Sequence, residues 1–253
     1  MSSKERHVIA LSGGKDSTAL ALRLAEVEPR DDYLYVITPT GDEPPSMIAH
    51  WLKISKLIGA PLTPITAGKS LQGLIRETGR LPNHRQRWCT RQLKLEPYYR
   101  WLSTQTPVVS YVGLRADEES RPGMIFPDAD GVKMRFPLRE WGWTLSDVLG
   151  YLDEKGVTVP DRTDCEKCFW QTLGEWYLLW RDRPESYAEA VALEALVSEK
   201  HGKPYTFRSP SRDTWPAGLA DLAARFDAGD IPFSSLIRSE KLRQVGACRV
   251  CTL

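Results

Sequence analysis

A glycine-rich loop at residues 12–17, with the sequence Ser-Gly-Gly-Lys-Asp-Ser, constrains the fold of this chain more than any other feature. It follows the apolar run Val8–Leu11, which is typical of a buried parallel strand, and precedes Thr18–Glu26, whose Ala and Leu content predicts a helix. A strand that enters a helix through paired glycines presents backbone N–H groups and the positive end of a helix dipole to an oxyanion. The sequence therefore predicts a phosphate-binding loop in an α/β fold.

The residues of this loop divide into those that approach a phosphate and those that carry charge. The predicted nucleotide-binding residues are Ser12, Gly13, Gly14, Lys15, Asp16 and Ser17. The Asp16 carboxylate would repel phosphate unless it caps the helix or helps to hold Mg²⁺. The loop is not a Walker A motif, which needs a glycine where the chain has Ile9, and two glycines are too few for the dinucleotide fingerprint.

Strands and helices alternate up to about residue 160. Further strands are predicted at Tyr33–Thr38, Leu62–Ile65, Val108–Val112 and Met134–Leu138, and helices at Pro44–Ile58 and Thr144–Gly156. Alternation of this kind predicts a mostly parallel five-stranded sheet covered on both faces. The helical segments Leu173–Trp180, Pro184–Lys200 and Ala217–Ala228 follow. We therefore predict a nucleotide-binding α/β domain at residues 1–160 and a helical, cysteine-bearing appendage at residues 161–253.

The net charge of +1 gives no overall attraction to nucleic acids or membranes, so any basic site must be local. No apolar stretch reaches the roughly 18 residues of a spanning helix, and Met1–His7 lacks the pattern of a signal peptide. These features predict a cytoplasmic protein with no membrane association. In a reducing compartment its five cysteines are expected to be metal ligands or reactive thiols before disulfides.

Four later stretches, in a fixed order, carry a resemblance to a known family. They are Arg87-Trp88-Cys89 with Lys94 and Pro97, then Gly113 to Arg121, then Pro137-Leu138 with Trp143-Thr144 and Asp147-Val148, and last Cys165-x-x-Cys168. The loop at residues 12–17 resembles the PP-loop of the ATP pyrophosphatases. The later stretches resemble the phosphoadenosine-phosphosulfate-reductase-like branch of that superfamily, which includes DNA-phosphorothioation sulfurtransferases.

This resemblance implies a Rossmann-like fold of the adenine nucleotide α-hydrolase type that binds ATP with Mg²⁺. It further implies cleavage between the α- and β-phosphates, which adenylates an acceptor for attack by a sulfur or nitrogen nucleophile. Such chemistry needs cations at the phosphates more than a protein nucleophile. The implied catalytic residues are Lys15, Asp16, Lys94, Arg115 and Arg121, and Gly113 joins the nucleotide-binding set.

Two departures separate the chain from the sulfonucleotide reductases, which it resembles in the later stretches. Their phosphate loop is altered, whereas this loop is intact and favours ATP. Their tail carries a lone redox cysteine in Glu-Cys-Gly, whereas this tail ends in Cys248-Arg-Val-Cys251. The leading hypothesis is therefore an ATP-dependent enzyme of sulfur transfer. A sulfonucleotide reductase and a non-catalytic nucleotide- or nucleic-acid-binding module remain the alternatives.

The five cysteines predict a metal centre. The candidate ligands are Cys89, Cys165, Cys168, Cys248 and Cys251. In the iron–sulfur members of the family, two cysteines precede the lysine and join a Cys-x-x-Cys downstream. Here Thr90 replaces the second of them, so the tail would supply the fourth ligand of a [4Fe–4S] cluster. A Cys₄ zinc site made by the two Cys-x-x-Cys pairs is the alternative, followed by a redox-active tail pair.

The segment from residue 80 to 100 is strongly basic. It contains Arg80, His84, Arg85, Arg87, Arg91, Lys94 and Arg100, against the single acidic residue Glu96. A charge run of this kind is by default a solvated face. It could also be a lid over the nucleotide phosphates, or a path for an anionic acceptor such as RNA or DNA. Its overlap with Cys89 and Lys94 favours a place at the active site. A sulfur donor is the other partner that the hypothesis implies.

Overall fold

The computed structural model describes residues 4–118 and 131–244, and at its centre lies a five-stranded parallel sheet. The strands are β1 (Arg6–Ala10), β2 (Tyr33–Ile37), β3 (Leu62–Pro64), β4 (Val108–Tyr111) and β5 (Val132–Arg135). Their order is β3-β2-β1-β4-β5, and every neighbouring pair is parallel. The predicted Rossmann-like α/β class with a five-stranded parallel sheet is confirmed.

The helices are α1 (Lys15–Val27), α2 (Pro45–Ile58), α3 (Leu71–Thr78), α4 (Trp88–Thr90), α5 (Glu96–Ser103), α6 (Pro137–Glu140), α7 (Leu145–Glu154), α8 (Leu173–Asp182), α9 (Pro184–His201), α10 (Leu219–Asp227) and α11 (Phe233–Gln244). A π-helical turn at Arg91–Leu95 joins α4 to α5. In the described ranges no helix is long and apolar enough to cross a bilayer.

Side chains of the central strands alternate between two buried faces, as a doubly covered sheet requires. Ile9 of β1 packs in one cluster with residues of α1 and α7. Its neighbour Val8 packs on the opposite face in a cluster with Tyr98 and Leu102 of α5. Both residues have no solvent exposure, so β1 is buried on its two faces.

The strand order reverses at β1, because the chain passes to β2 and β3 on one side and then returns to β4 on the other. In open parallel sheets, ligands bind outside the carboxyl ends of the strands at such a reversal. The loop at residues 12–17 follows β1 and the segment Val112–Glu118 follows β4. The fold therefore places these two segments side by side at its expected binding crevice.

A third cluster of buried residues lies under the C-terminal helices. It is centred on the fully buried Trp176 of α8 and includes Leu193 of α9 and Leu222 of α10. It also contains Ile75 of α3 and Leu93 of the π-helical turn, so residues on both sides of position 160 share one core. The division into domains at residue 160 stays a prediction.

Two local expectations differ from the structure. The fifth strand is Val132–Arg135 rather than Met134–Leu138, because Pro137 opens α6: its fixed φ suits the first turn of a helix and it has no N–H for a strand ladder. The helices and π-helical turn from residue 71 to 103 were not predicted. Pro97 explains the π-helical turn, since it cannot donate to the Leu93 carbonyl four residues earlier.

Candidate functional site

The loop after β1 is held by the hydroxyl groups of its two serines. Ser17 Oγ lies 2.9 Å from Ser12 Oγ and accepts the Gly13 N–H at 3.1 Å, while Ser12 Oγ accepts the Gly14 N–H at 3.3 Å. No side chain caps the N-terminus of α1, which begins at Lys15. An uncapped helix N-terminus leaves N–H donors and the positive end of the dipole available to an anion.

Helix α2 packs against this loop. Gly13 has a φ of +85°, and a Cβ there would overlap the Met47 methyl group and the Trp51 indole. The Trp51 indole donates to the Ser12 carbonyl at 3.2 Å. His50 Nε2 lies 3.3 Å from Thr18 Oγ1 on α1, and His50 also hydrogen-bonds to the Gly13 backbone. Close contact with α2 therefore requires a glycine at position 13.

The buried His50 should make stability depend on pH. Burial lowers its pKa to about 4, with the charge of Lys53 acting in the same direction. The unfolded state therefore binds a proton below pH about 6.5 that the folded state refuses, so His50 destabilises the fold as the pH falls from there to about 4. The expected loss is up to about 3 kcal/mol. Urea unfolding at pH 7.5 and at pH 4.5 measures it.

The matched comparison uses His50→Gln and His84→Gln, because His84 is exposed. Removal of His50 should flatten the pH dependence of the unfolding free energy, whereas removal of His84 should leave it as in the unaltered protein. Equal pH dependence in all three proteins would show that His50 titrates normally in the folded state.

The segment after β4 delivers a guanidinium to the loop. Arg115 Nη1 lies 3.0 Å from both carboxylate oxygens of Asp16, and Lys15 Nζ lies 3.7 Å from the same carboxylate. A Cβ on Gly113 would lie 3.0 Å from the Asp16 and Ser17 backbone, so glycine permits this close approach. Asp16 does not cap the helix; its charge is balanced by two cations.

Residues 137–143 form hydrogen bonds to the segment that contains Arg115, residues 115–118. Arg139 donates to the carbonyls of Arg115 at 3.3 Å and Glu118 at 2.7 Å, and the Ala116 N–H donates to the Trp143 carbonyl at 2.8 Å. Arg115 also binds Asp117 at 2.8 Å and lies 3.8 Å from Glu118. Asp16, Asp117 and Glu118 thus offset the charges of Lys15 and Arg115, while Arg139 holds the backbone of the segment.

Cys89 and Lys94 lie on either side of the point where the helix widens into its π-helical turn. Residues five apart are about 140° apart around an α-helix of 3.6 residues per turn. A π-helical turn closes at i+5 and reduces this separation. Burial raises the pKa of the Cys89 thiol, and the positive charge of Lys94 opposes that shift. The lysine and the thiol therefore interact electrostatically.

The second cysteine group lies in the same electrostatic neighbourhood. Burial raises the pKa of Cys165 to about 12, and the charge of Lys94 is the largest influence that lowers it. Burial also raises the pKa of Cys168 well above that of a free thiol, and Arg162 opposes the shift. Arg162 donates to the Cys165 carbonyl at 2.9 Å. Lys94 thus lies near both Cys89 and Cys165, which are 76 positions apart in sequence.

The loop after β2 joins the cysteine segment to the sheet. Asp42 accepts the Lys167 ammonium at 2.8 Å and the Lys167 N–H at 2.9 Å, and both side chains are at most 2% exposed. Thr40 Oγ1 lies 3.1 Å from Cys165 Sγ. A Cβ on Gly14 would lie 3.8 Å from the Thr163 hydroxyl. The segment from Thr163 to Cys168, called the cysteine segment below, is therefore held beside the glycine-rich loop.

Some predicted site residues cannot be located. Arg121, Cys248 and Cys251 lie outside the described residues. Within the described residues, no group of three or more His, Cys, Asp or Glu side chains is arranged to hold a metal ion. The described thiols Cys89, Cys165 and Cys168 form no disulfide with one another.

Several residues that build the site were not predicted from the sequence. Thr40, His50, Asp42 and Lys167 all act through partners far away in the chain. The first three belong to no motif with a fixed spacing, and Lys167 occupies a variable position of Cys165-x-x-Cys168. The one available signal was the position of Thr40 and Asp42 directly after a predicted buried strand, at the sheet edge where ligands bind.

The part of the chain that contains the sheet is similar to known proteins. Residues 6–161, well over half of the chain, match the phosphoadenosine phosphosulfate reductase domain. Among solved structures, the phosphoadenylyl-sulfate (PAPS) reductase from Candida auris, in its phosphate complex, aligns with a TM-score of 0.49 at 15% identity. That alignment covers 62% of this chain and 76% of the reductase. A search of curated protein sequences finds no match.

Proposed function

Because the chain belongs to the phosphoadenosine phosphosulfate reductase domain family, we propose that it is a nucleotide-dependent enzyme of sulfur chemistry that uses ATP. In this proposal ATP is cleaved between its α- and β-phosphates, and the resulting adenylate activates an acceptor for sulfur transfer. The carrying observation is the intact glycine-rich loop at the strand-order reversal, with Lys15 buried in it and Arg115 held against it. This arrangement suits a chain of phosphates at the uncapped start of α1.

The charge balance beside the loop supports the use of Mg²⁺ with ATP. Asp16, Asp117 and Glu118 already offset the charges of Lys15 and Arg115, so a triphosphate would add uncompensated negative charge. Magnesium ions are commonly bound by one or two carboxylates together with substrate phosphates. Asp16 is the carboxylate nearest to the loop backbone and would serve as such a ligand if it turned from Arg115 towards the metal.

The side chains of the three described cysteines are chemically suited to bind a negatively charged metal–thiolate centre. They are soft ligands, and Lys94 and Arg162 supply positive charge beside them. We propose that Cys89, Cys165 and Cys168 hold a [4Fe–4S] cluster with Cys248 or Cys251. Ser239 Oγ on α11 lies 2.6 Å from Thr172 Oγ1, four positions after Cys168. Because Ser239 is nine positions before Cys248, the chain is long enough for a tail cysteine to reach the proposed centre. The cluster would supply a binding position for sulfur.

Metal content tests the proposed centre. Protein prepared without oxygen should be brown, absorb broadly near ~400 nm and contain about four irons per chain. Cys165→Ala and Cys168→Ala should each remove most of the iron, because each withdraws one of the proposed thiolate ligands. Stoichiometric zinc in a colourless protein would contradict the cluster and favour a Cys₄ zinc site.

Product analysis tests the proposed reaction. With ATP and candidate acceptors, the proposal requires acceptor-dependent release of pyrophosphate and formation of AMP. The family match also makes sulfonucleotide reduction the second candidate function. Supplied with reduced thioredoxin, which is oxidised to its disulfide, that reaction would convert phosphoadenosine phosphosulfate to sulfite and adenosine 3′,5′-bisphosphate without ATP. A protein that yields neither product while still binding nucleotide would be a non-catalytic module.

A further inference from the structure

A basic pocket of about 430 Å³ lies at the start of the helix that carries Cys89. Arg80, Arg87 and Arg91 line it together with Trp88, two glutamines and a threonine. No carboxylate is among its lining residues. Its volume falls within the range of about 300–1,000 Å³ that is usual for small-molecule sites. The pocket thus combines ligand size with three positive charges.

The pocket is hydrogen-bonded to α9 at its lining residue Thr78. Lys200 Nζ donates to the Thr78 carbonyl at 3.1 Å, and His201 Nε2 donates to the Gly79 carbonyl at 2.8 Å. These contacts join the end of α9 to the backbone at the end of α3. Two hydrogen bonds from α9 therefore hold the backbone of Thr78 and Gly79, directly before Arg80.

The side chains of the pocket match the chemistry of a nucleotide. Arginine binds phosphate through two parallel N–H donors, and both arginine and tryptophan stack on bases. Arg91 and Arg80 are exposed, and Arg91 has one carboxylate contact, with Glu96 at 2.6 Å. The exposed guanidinium groups of Arg80 and Arg91 can therefore donate to the phosphate of an occupant, and the Trp88 ring offers a surface for its base.

We propose that this pocket binds a phosphate-bearing nucleotide unit of the acceptor substrate. The inference rests on the proposed function, because Trp88 directly precedes Cys89 and an occupant would lie beside the proposed sulfur site. The pocket is separate from the glycine-rich loop, since none of its lining residues belongs to residues 12–17 or 113–118. It would thus hold the acceptor while the loop holds ATP. The unit could belong to a free nucleotide or to a single strand.

Binding is measured with the full chain and a non-hydrolysable ATP analogue that saturates the loop. The probes are a fluorescein-labelled single-stranded oligonucleotide of about ten nucleotides, within the usual site size, and an unlabelled pyrimidine mononucleotide as competitor. Arg80→Ala/Arg91→Ala is compared with Arg76→Ala/Arg100→Ala. The control pair removes the same charge from exposed positions of α3 and α5 that do not line the pocket.

The pocket pair should weaken oligonucleotide binding at least about 10-fold and reduce the slope of log K against log salt by about 1.4, or 0.7 for each lost phosphate contact. The control pair should change affinity by less than about 2-fold, because Arg76 and Arg100 lie outside the pocket lining and attract the strand only through screened long-range electrostatics. Tighter binding of the oligonucleotide than of the mononucleotide identifies a strand as the source, and equal binding identifies a free nucleotide.

Failure of wild-type protein to bind either probe, or equal losses in the two variant pairs, overturns the pocket assignment. These measurements need no turnover, so they are independent of pyrophosphate release. Lys15→Ala should bind the oligonucleotide as the unaltered protein does even if it no longer uses ATP. A wrong reaction and a wrong pocket would therefore give different results.

Discussion

Replacement of Lys15 by alanine is expected to lower the rate of ATP-dependent pyrophosphate release by about 10²–10³-fold, the usual cost of removing one preorganised charge from a transition state. Lys15 is the first residue of α1 and is only 7% exposed, so its charge is held inside the loop and is poorly screened by water. Charge builds on the α- and β-phosphates as their bond breaks, and a fixed ammonium stabilises it without reorganisation.

Lys56→Ala is the matched control, because Lys56 is exposed in the last turn of α2, more than one turn beyond Met47 and Trp51, which meet the loop. It should keep full turnover. Asp16→Ala should also remove turnover, since the Arg115 guanidinium would lose the carboxylate that holds it against the loop. Iron content should remain close to that of the unaltered protein in all three variants, whereas Lys15→Ala and Asp16→Ala should lose some thermal stability because each breaks a largely buried ion pair. Undiminished turnover in Lys15→Ala and Asp16→Ala would refute the assigned site.

The sheet and its binding crevice were predictable because their signals are local. The apolar run before residue 12 and the glycine pair at Gly13 and Gly14 identify a strand, a turn and a helix within about twenty residues. Helix α2 was likewise predictable, since Pro45 opens it and Gly59, with a φ of +66°, ends it. The alternation of strands and helices then fixes a parallel sheet.

The support of the site was not predictable, because it depends on contacts between distant parts of the chain. Asp42 and Lys167 are 125 positions apart in the chain. Aspartate and lysine are usually exposed, so neither residue taken alone predicts a buried pair. The helix that carries Cys89 is interrupted by the π-helical turn at Arg91–Leu95, which inserts one residue and so breaks the 3.6-residue apolar period on which sequence-based prediction of a helix depends. Only the folded chain shows that Lys94 influences two thiols far apart in sequence.

Replacement of Asp42 by alanine is expected to destabilise the protein by about 3–5 kcal/mol, because it leaves the buried ammonium of Lys167 without its main partner. The carboxylate accepts two hydrogen bonds from Lys167, one from the side chain and one from the backbone. The Asp42 carbonyl also accepts the Glu166 N–H at 2.8 Å. These contacts fix the segment between Cys165 and Cys168, so the same variant should retain less iron than the unaltered protein. Urea unfolding and iron analysis measure the two effects.

Glu189→Ala is the matched control, because Glu189 is the other carboxylate bound to Lys167, at 3.0 Å, and its side chain is 50% exposed. An exposed ion pair contributes about 0–1 kcal/mol, so this variant should remain almost as stable as the unaltered protein. Lys167→Met combined with Asp42→Ala should recover part of the lost stability, since it removes the unpaired charge. Equal effects of Asp42→Ala and Glu189→Ala would show that the buried pair does not hold the cysteine segment on the sheet. Loss of stability with full iron content would instead show that the proposed metal centre does not depend on the Asp42–Lys167 pair.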